Sequence, residues 1–183
     1  MPNWCSNSIT ISGSTDTLEP LWEEANKEGS GLLQAMVPMP KELEGTTAPS
    51  EGDNWYGWRV NNWGTKWELC EYHGVDRKYL TLNSEGESTI TFAFESAWSP
   101  PINALAHWLE KNEECQATLS YYEGGCDFMG IWDNFDDSVY NPSDYKSDDA
   151  FWDKGIGKQL DEDFAITESM TQWEEEQKEE ESA

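Results

Sequence analysis

Asn54-Trp-Tyr-Gly-Trp-Arg-Val-Asn-Asn-Trp-Gly-Thr-Lys-Trp-Glu-Leu-Cys70 holds four of the eleven tryptophans in this 183-residue chain: Trp55, Trp58, Trp63 and Trp67. At a helical period, Trp55, Trp58, Arg59, Asn62 and Trp63 share one face. Gly64 follows where a helix closes on a left-handed residue, a conformation glycine adopts without steric cost. From Lys66 the period becomes two. Trp67 and Leu69 point one way and Lys66, Glu68 and Cys70 the other, the pattern of a half-buried strand. The stretch predicts a helix that stops at a glycine and turns directly into a strand. Indoles at this density bury large areas, so the joint reads as a packing centre rather than a reactive site.

Upstream, Trp4 to Ser12 alternates, with Cys5, Asn7, Ile9 and Ile11 on one face and Trp4, Ser6, Ser8, Thr10 and Ser12 on the other. This is a strand with one wet face, ended by Gly13. Asp16 with Glu19 three residues on predicts a helix start of the capping-box kind. Leu18, Leu21, Trp22 and Ala25 form its apolar stripe, and Gly29-Ser30-Gly31 stops it. Leu32 to Val37 reads as a strand or extended segment entering the turn Pro38-Met39-Pro40. Lys41 to Asp53 is polar loop.

Downstream, Tyr79 to Leu82 and Ser88 to Ser96 read as two strands joined around Asn83-Ser84-Glu85-Gly86. Ile90, Phe92 and Phe94 alternate with Thr89, Thr91 and Ala93. Ser99 fits a helix N-cap and Pro100 a first helical position. Ile102, Leu105, Ala106 and Leu109, extended by Trp108, make the buried stripe. Cys115 to Glu123 alternates again, and Gly124-Gly125 turns it into Phe128 to Phe135, a hairpin. The order is strand, helix, strand, an insertion, then strand, helix, strand. That predicts an α+β fold, a ferredoxin-like split β-α-β sandwich. It carries a Trp-rich helix-strand insertion, an extra C-terminal hairpin and an acidic C-terminal segment.

Composition divides the chain at Pro142, predicting a sandwich domain over 1–142 and an acidic, partly helical segment over 143–183. The second part carries 14 acidic and 4 basic residues. Trp152, Ile156, Leu160 and Phe164 recur every four residues, and Ile166, Met170 and Trp173 continue a stripe. Glu174 to Glu181 reads as a fraying end. Two roles stay open for the segment: docking on the core through its aromatics, or engaging a partner.

Asn3-Trp4-Cys5-Ser6-Asn7, Val37-Pro38-Met39-Pro40, Asn62-Trp63-Gly64-Thr65-Lys66-Trp67 and Ala97-Trp98-Ser99-Pro100-Pro101 are similar, in order, to signatures of the YubB-like phage and plasmid proteins. The resemblance covers roughly residues 1 to 145. It implies a ferredoxin-like fold and an origin in mobile genetic elements, and it brings no catalytic residues with it.

The net charge is −26, from 37 acidic and 11 basic residues. Such a surface repels nucleic acid and anionic membrane and attracts basic surfaces, which in a cell belong largely to nucleic-acid-binding proteins. Solubility or salt tolerance is the plainer reading of the same charge. Four scattered cysteines, Cys5, Cys70, Cys115 and Cys126, make no zinc or iron–sulfur spacing. With no visible leader and no long apolar run, they predict a cytoplasmic protein with reduced thiols. His73 and His107, the two histidines, sit in no nucleophile elbow. Asp133-Asn134-Phe135-Asp136-Asp137 gathers oxygens, but Phe135 occupies a ligand position of a calcium loop, and the loop glycine is missing. No phosphate-binding glycine motif occurs. Arg59, Lys66, Arg77 and Lys78 are the local positive group beside the aromatics, too few for a nucleic-acid platform.

These features predict a non-enzymatic protein without cofactor or metal. It would bind and inhibit a basic, nucleic-acid-binding host defence protein of restriction or CRISPR type, by mimicking DNA with surface carboxylates. The predicted contacts are Asp133, Asp136, Asp137, Asp144, Asp148, Asp149, Asp153, Asp161, Glu162 and Asp163. The alternative is a structural adaptor that binds through its sheet or its Trp-rich insertion, with acidity serving solubility only.

Overall fold

The computed structural model describes residues 3–47, 54–69, 80–82 and 86–182. Strand β1 (Trp4–Ser14) buries Cys5, Asn7, Ile9 and Ile11 on one face, as its alternation requires. Helix α1 (Thr15–Ala25) follows directly. Its cap is Ser14, whose Oγ accepts from the Thr17 backbone N–H at 3.3 Å, rather than the Asp16–Glu19 pair. Ser14 is still extended, so its hydroxyl faces the first free amide, whereas Asp16 already lies inside the helix.

Leu32 to Val37 is not a strand. Leu32–Met36 forms a short helix, α2, that buries Leu32, Leu33 and Met36. The Glu68 carboxylate accepts from the backbone N–H groups of Leu33 at 3.0 Å and Gln34 at 2.9 Å. A carboxylate at the first turn satisfies amides that a helix leaves open, and this tertiary contact outweighs the strand-like apolar run.

Helix α3 (Trp55–Trp63) ends as expected on Gly64, at φ 85°. A side chain at Gly64 would also meet the Pro100 carbonyl at 3.1 Å, so both conformation and space ask for glycine. The predicted strand after it does not form among the described residues. Residues 64–68 run as bends. Here Glu68 turns inward to α2 while Lys66 lies over the Trp67 and Tyr56 rings, so the two do not share a face as a strand would require. Cys70 lies outside the described residues, as do Tyr79 and the turn at Asn83–Glu85.

Strands β2 (Leu80–Leu82) and β3 (Glu87–Ala97) pair antiparallel. Helix α4 (Ile102–Leu109) starts two residues later than Ser99-Pro100 suggested. The Ser99 hydroxyl donates to the Gly64 carbonyl instead of capping, and Pro101 takes the cap position. Strand β4 (Gln116–Glu123) then turns into β5 (Phe128–Asp133). Asn134 and Phe135, at φ 44° and 76°, close a tight turn, and a sixth strand, β6 (Asp136–Tyr140), follows where the sequence reading had a single strand to Phe135. Its polar, exposed face hid its alternation.

The sheet order is β2-β3-β1-β4-β5-β6, every neighbouring pair antiparallel. The first four strands with α1 and α4 make the ferredoxin-like split β-α-β arrangement. β5 and β6 extend the sheet beyond β4. The main core lies between the sheet and the layer of α1 to α4.

Residues from Tyr145 to Met170 build a second packed layer on the opposite sheet face. Two 3₁₀ turns, Pro142–Asp144 and Ala150–Asp153, lead into helices α5 (Gly155–Phe164) and α6 (Ile166–Ser182). Met129, Ile131, Trp152, Leu160 and Ile166 form a second core there. A Cβ on Gly157 would lie 2.1 Å from the Phe151 carbonyl, so that turn can close on α5 only at a glycine. Trp173 is 63% exposed and does not continue the apolar stripe. The glutamate run Glu174–Glu181, read as a frayed end, falls within α6.

Trp63 is 1% exposed, and its indole N–H donates to the Val37 carbonyl at 2.8 Å. Trp63→Phe leaves that carbonyl unpaired and opens a gap, and lowers stability by about 2–3 kcal/mol in denaturant unfolding. Trp173→Ala, at an exposed site, changes it by less than about 0.5 kcal/mol.

Candidate functional site

Strand alternation fixes the chemistry of the second sheet face. β1 presents Ser6, Ser8, Thr10 and Ser12 there, and β3 presents Thr89, Thr91, Ala93 and Glu95. Helix α5 covers this face over β4 and β5 and leaves it open over β1 and β3. A groove results along α5. At one end a cavity of about 620 Å³ is lined by Ser6, Ser8, Glu95, Tyr122, Glu162 and Asp163, among others. Near the start of α5 a second, also about 620 Å³, is lined by Thr10, Thr118, Asp133, Asp136, Ser138 and Gln159, with Ile131 and Ile156. The floor is hydroxyls and the walls carry carboxylates. Among the described residues the open face offers no row of aromatic rings of the kind that single-stranded nucleic acid stacks on.

Of the ten carboxylates expected to bind a partner, the groove brings together Asp133, Asp136, Glu162 and Asp163. Asp144, Asp148, Asp149 and Asp153 sit on the turns before α5, exposed and away from its lining. Four of the ten, Asp133 among them, have internal work. Asp137 accepts from the Tyr121 hydroxyl at 2.7 Å. Asp149 accepts from the Phe151 N–H at 2.9 Å and caps its turn. Asp161 accepts from the Thr167 N–H at 2.7 Å and the Thr167 hydroxyl at 2.9 Å, holding the start of α6. Glu162 pairs with Lys158 at 3.5 Å along one helix, an exposed contact of small value. Glu95 was missed, although it simply continues the outward series Thr89, Thr91, Ala93.

Asp133 also accepts from the Thr118 hydroxyl at 3.2 Å and the Asn134 amide at 2.8 Å. Asp133 thus commits its Oδ1 to its own hairpin. Among the described residues no three metal-binding side chains converge.

A second cluster gathers the four sequence signatures. The Trp98 N–H donates to the Asn3 carbonyl at 3.0 Å. The Thr65 hydroxyl donates to the Ala97 carbonyl at 2.8 Å, Ser99 to Gly64, and Trp63 to Val37. Trp4 lies 6.1 Å from Trp67, ring to ring. The Arg59 guanidinium stands 5.4 Å from the Trp55 ring centre and 4.7 Å from that of Trp63. Burial pulls Arg59 below its ordinary range, opposed by Glu68 and Glu44. Burial likewise pushes the Glu68 carboxyl up, against the amides of Leu33, Gln34 and Leu69 and the charge of Arg59.

The described cysteines are unpaired. Burial pushes Cys5 up to about 12 and Cys115 to about 11, so both thiols stay protonated. His107 sets Nδ1 3.2 Å from the Asn62 carbonyl and joins α4 to α3. His73, Arg77 and Lys78 lie outside the described residues. Among the described residues no helix is long and apolar enough to cross a membrane.

Residues 78–168 match the family model described as the ferredoxin-like domain in Api92-like protein. The matched stretch takes in β3-α4-β4, the added hairpin and α5, so both walls of the groove contribute to it. No curated protein and no solved structure matches the chain.

Asp161→Ala lowers stability by about 1 kcal/mol through the lost hold on α6, whereas Asp163→Ala is nearly neutral; chemical unfolding of the two variants separates the roles. Glu68 has a raised carboxyl, so the folded state holds its proton to higher pH than the unfolded chain does. Its contribution is complete below the ordinary glutamate range and falls as pH rises through the raised value. Stability of the wild type, measured relative to Glu68→Gln, therefore declines with rising pH across that window.

Proposed function

We propose that this is a non-enzymatic binding protein that engages a basic, nucleic-acid-binding host protein and blocks it by presenting carboxylates in place of phosphates. The reading goes on to a YubB-like protein of a phage or plasmid, acting in the host cytoplasm, with restriction or CRISPR-type defence proteins as targets. The observation that carries it is the groove along α5, where Glu95, Glu162, Asp163, Asp133 and Asp136 stand over a hydroxyl floor. A chain of net charge −26 steers a basic partner toward itself, and the groove supplies a place where lysine or arginine side chains find carboxylates and hydroxyls together. The exposed carboxylates on the approach to α5, Asp144, Asp148 and Asp153, extend the same field.

A second reading rests on the exposed aromatics. Trp98 is 46% exposed and holds φ at 73°, and Tyr56 is 42% exposed. An adaptor that binds through this patch would use the acidity for solubility alone. Strained, exposed aromatic residues are frequent at contact sites.

The two separate cleanly. Pull-down from bacterial lysate with the wild type, the triple variant Glu95→Gln, Glu162→Gln, Asp163→Asn, and Trp98→Ser identifies the partner and its site. The mimicry reading expects a basic DNA- or RNA-binding protein. The triple variant loses roughly tenfold or more in association rate, and the loss shrinks as salt rises. Retention by the triple variant together with loss by Trp98→Ser would replace this reading with the adaptor.

A further inference from the structure

A cleft of about 300 Å³ opens in the Trp-rich insertion, lined by Met39, Glu44, Gly45, Trp55, Arg59 and Trp67. Its walls are two indoles and a thioether, surfaces that favour a flat, polarizable ligand. Its rim is built rather than loose. The Thr46 hydroxyl donates to the Leu43 carbonyl at 2.7 Å and accepts from the Trp55 N–H at 3.0 Å, fixing the segment that carries Glu44 and Gly45 to the start of α3.

Arg59 gives the cleft its charge. Its guanidinium lies by the Trp55 and Trp63 rings, and its Nε is buried with no hydrogen-bond partner among the described residues. An arginine edge beside apolar walls favours a planar anion, which can accept two N–H bonds in its plane. Lys66 adds a second positive charge, 4.4 Å from the Trp67 ring centre. Glu68 spends its oxygens on the amides of Leu33, Gln34 and Leu69, while its charge, like that of Glu44, still acts on Arg59. Glu44 at the rim is the one lining carboxylate, and it opposes an anion. Arg59 and Lys66 offset the charges of Glu44 and Glu68, so an anion meets less repulsion here than over carboxylates with no cation beside them.

We propose that this cleft binds a small ligand made of a flat aromatic ring bearing one anionic group, the ring between Trp55 and Trp67 and the anion on Arg59. The site is separate from the groove along α5, and neither reading depends on the other. The anion can be a carboxylate or a phosphate, and two probes distinguish them: indole-3-acetate and adenosine 5′-monophosphate. Indole and acetate, each alone, are the controls.

Calorimetric titration of the full chain, with NMR of fluorotryptophan-labelled protein to locate the contact, expects one of the two probes to bind at about 1 mM or tighter. Shifts at Trp55 and Trp67 mark the site. Arg59→Lys, which keeps the charge but loses the fork, weakens that probe about tenfold. Glu44→Gln, an exposed change that leaves the fold alone, tightens it about threefold and leaves indole unchanged. Binding of neither probe beyond its separate parts would overturn the proposal. So would weaker binding, or unchanged binding, in Glu44→Gln, whether or not Arg59→Lys folds.

Discussion

The buried Trp63 indole, with its N–H on the Val37 carbonyl, ties α3 to the end of α2 and closes the insertion on itself. Burying an indole of that size contributes about 5 kcal/mol of transfer free energy. The hydrogen bond adds direction, because a buried carbonyl without a donor is costly. Around it the chain closes on itself: Gly64 lies against Pro100, Thr65 donates to Ala97, and Ser99 donates back to Gly64. The insertion between α1 and β2 is thereby fixed to the exit of β3 and the entry of α4. Glu68 extends the arrangement by holding the first turn of α2.

The opposite face of the sheet follows a different rule. There the strands present hydroxyls and a glutamate, which gain little from being covered. Among the described residues the large apolar side chains packed on that side come from β4, β5 and β6, in Tyr122, Met129, Ile131 and Tyr140, and α5 settles over β4 and β5. The helix covers what is apolar and stops where the surface becomes polar. The groove is the boundary between these two regimes, and its hydroxyl floor comes from the alternation that places Ile9, Ile11, Phe92 and Phe94 in the core.

Charge is distributed unequally between the two regions. Carboxylates with structural partners, such as Asp137, Asp149 and Asp161, hold turns and helix starts by accepting from nearby donors. Of those facing the groove, Asp133 and Glu162 have local partners, and Glu95, Asp136 and Asp163 face it without one among the described residues. The cations of the insertion lie against indole faces, where ring quadrupole and positive charge attract. The molecule thus keeps an anionic, hydroxyl-floored surface along α5 and a compact, nearly neutral aromatic cleft in the insertion.

The sequence by itself determined the α+β layout, because strand and helix periods are local properties. Ile9 and Ile11, Phe92 and Phe94, and the stripe through Leu105 and Leu109 show their faces without reference to anything distant. Gly64 was legible for the same reason, since a helix end that needs positive φ selects glycine. Long-range contacts decided the rest. Leu32–Met36 became a helix because a carboxylate 35 residues away reaches its first amides, from Glu68 to Leu33. Ser99 left its expected capping role because the Gly64 carbonyl stood within reach. β6 was hidden because an edge strand with exposed, polar residues carries no apolar alternation. Which of the many carboxylates share a surface was undecidable from spacing alone: Glu95 and Asp163 meet only because α5 crosses the sheet beside β1 and β3, a placement set by apolar residues on β4 and β5.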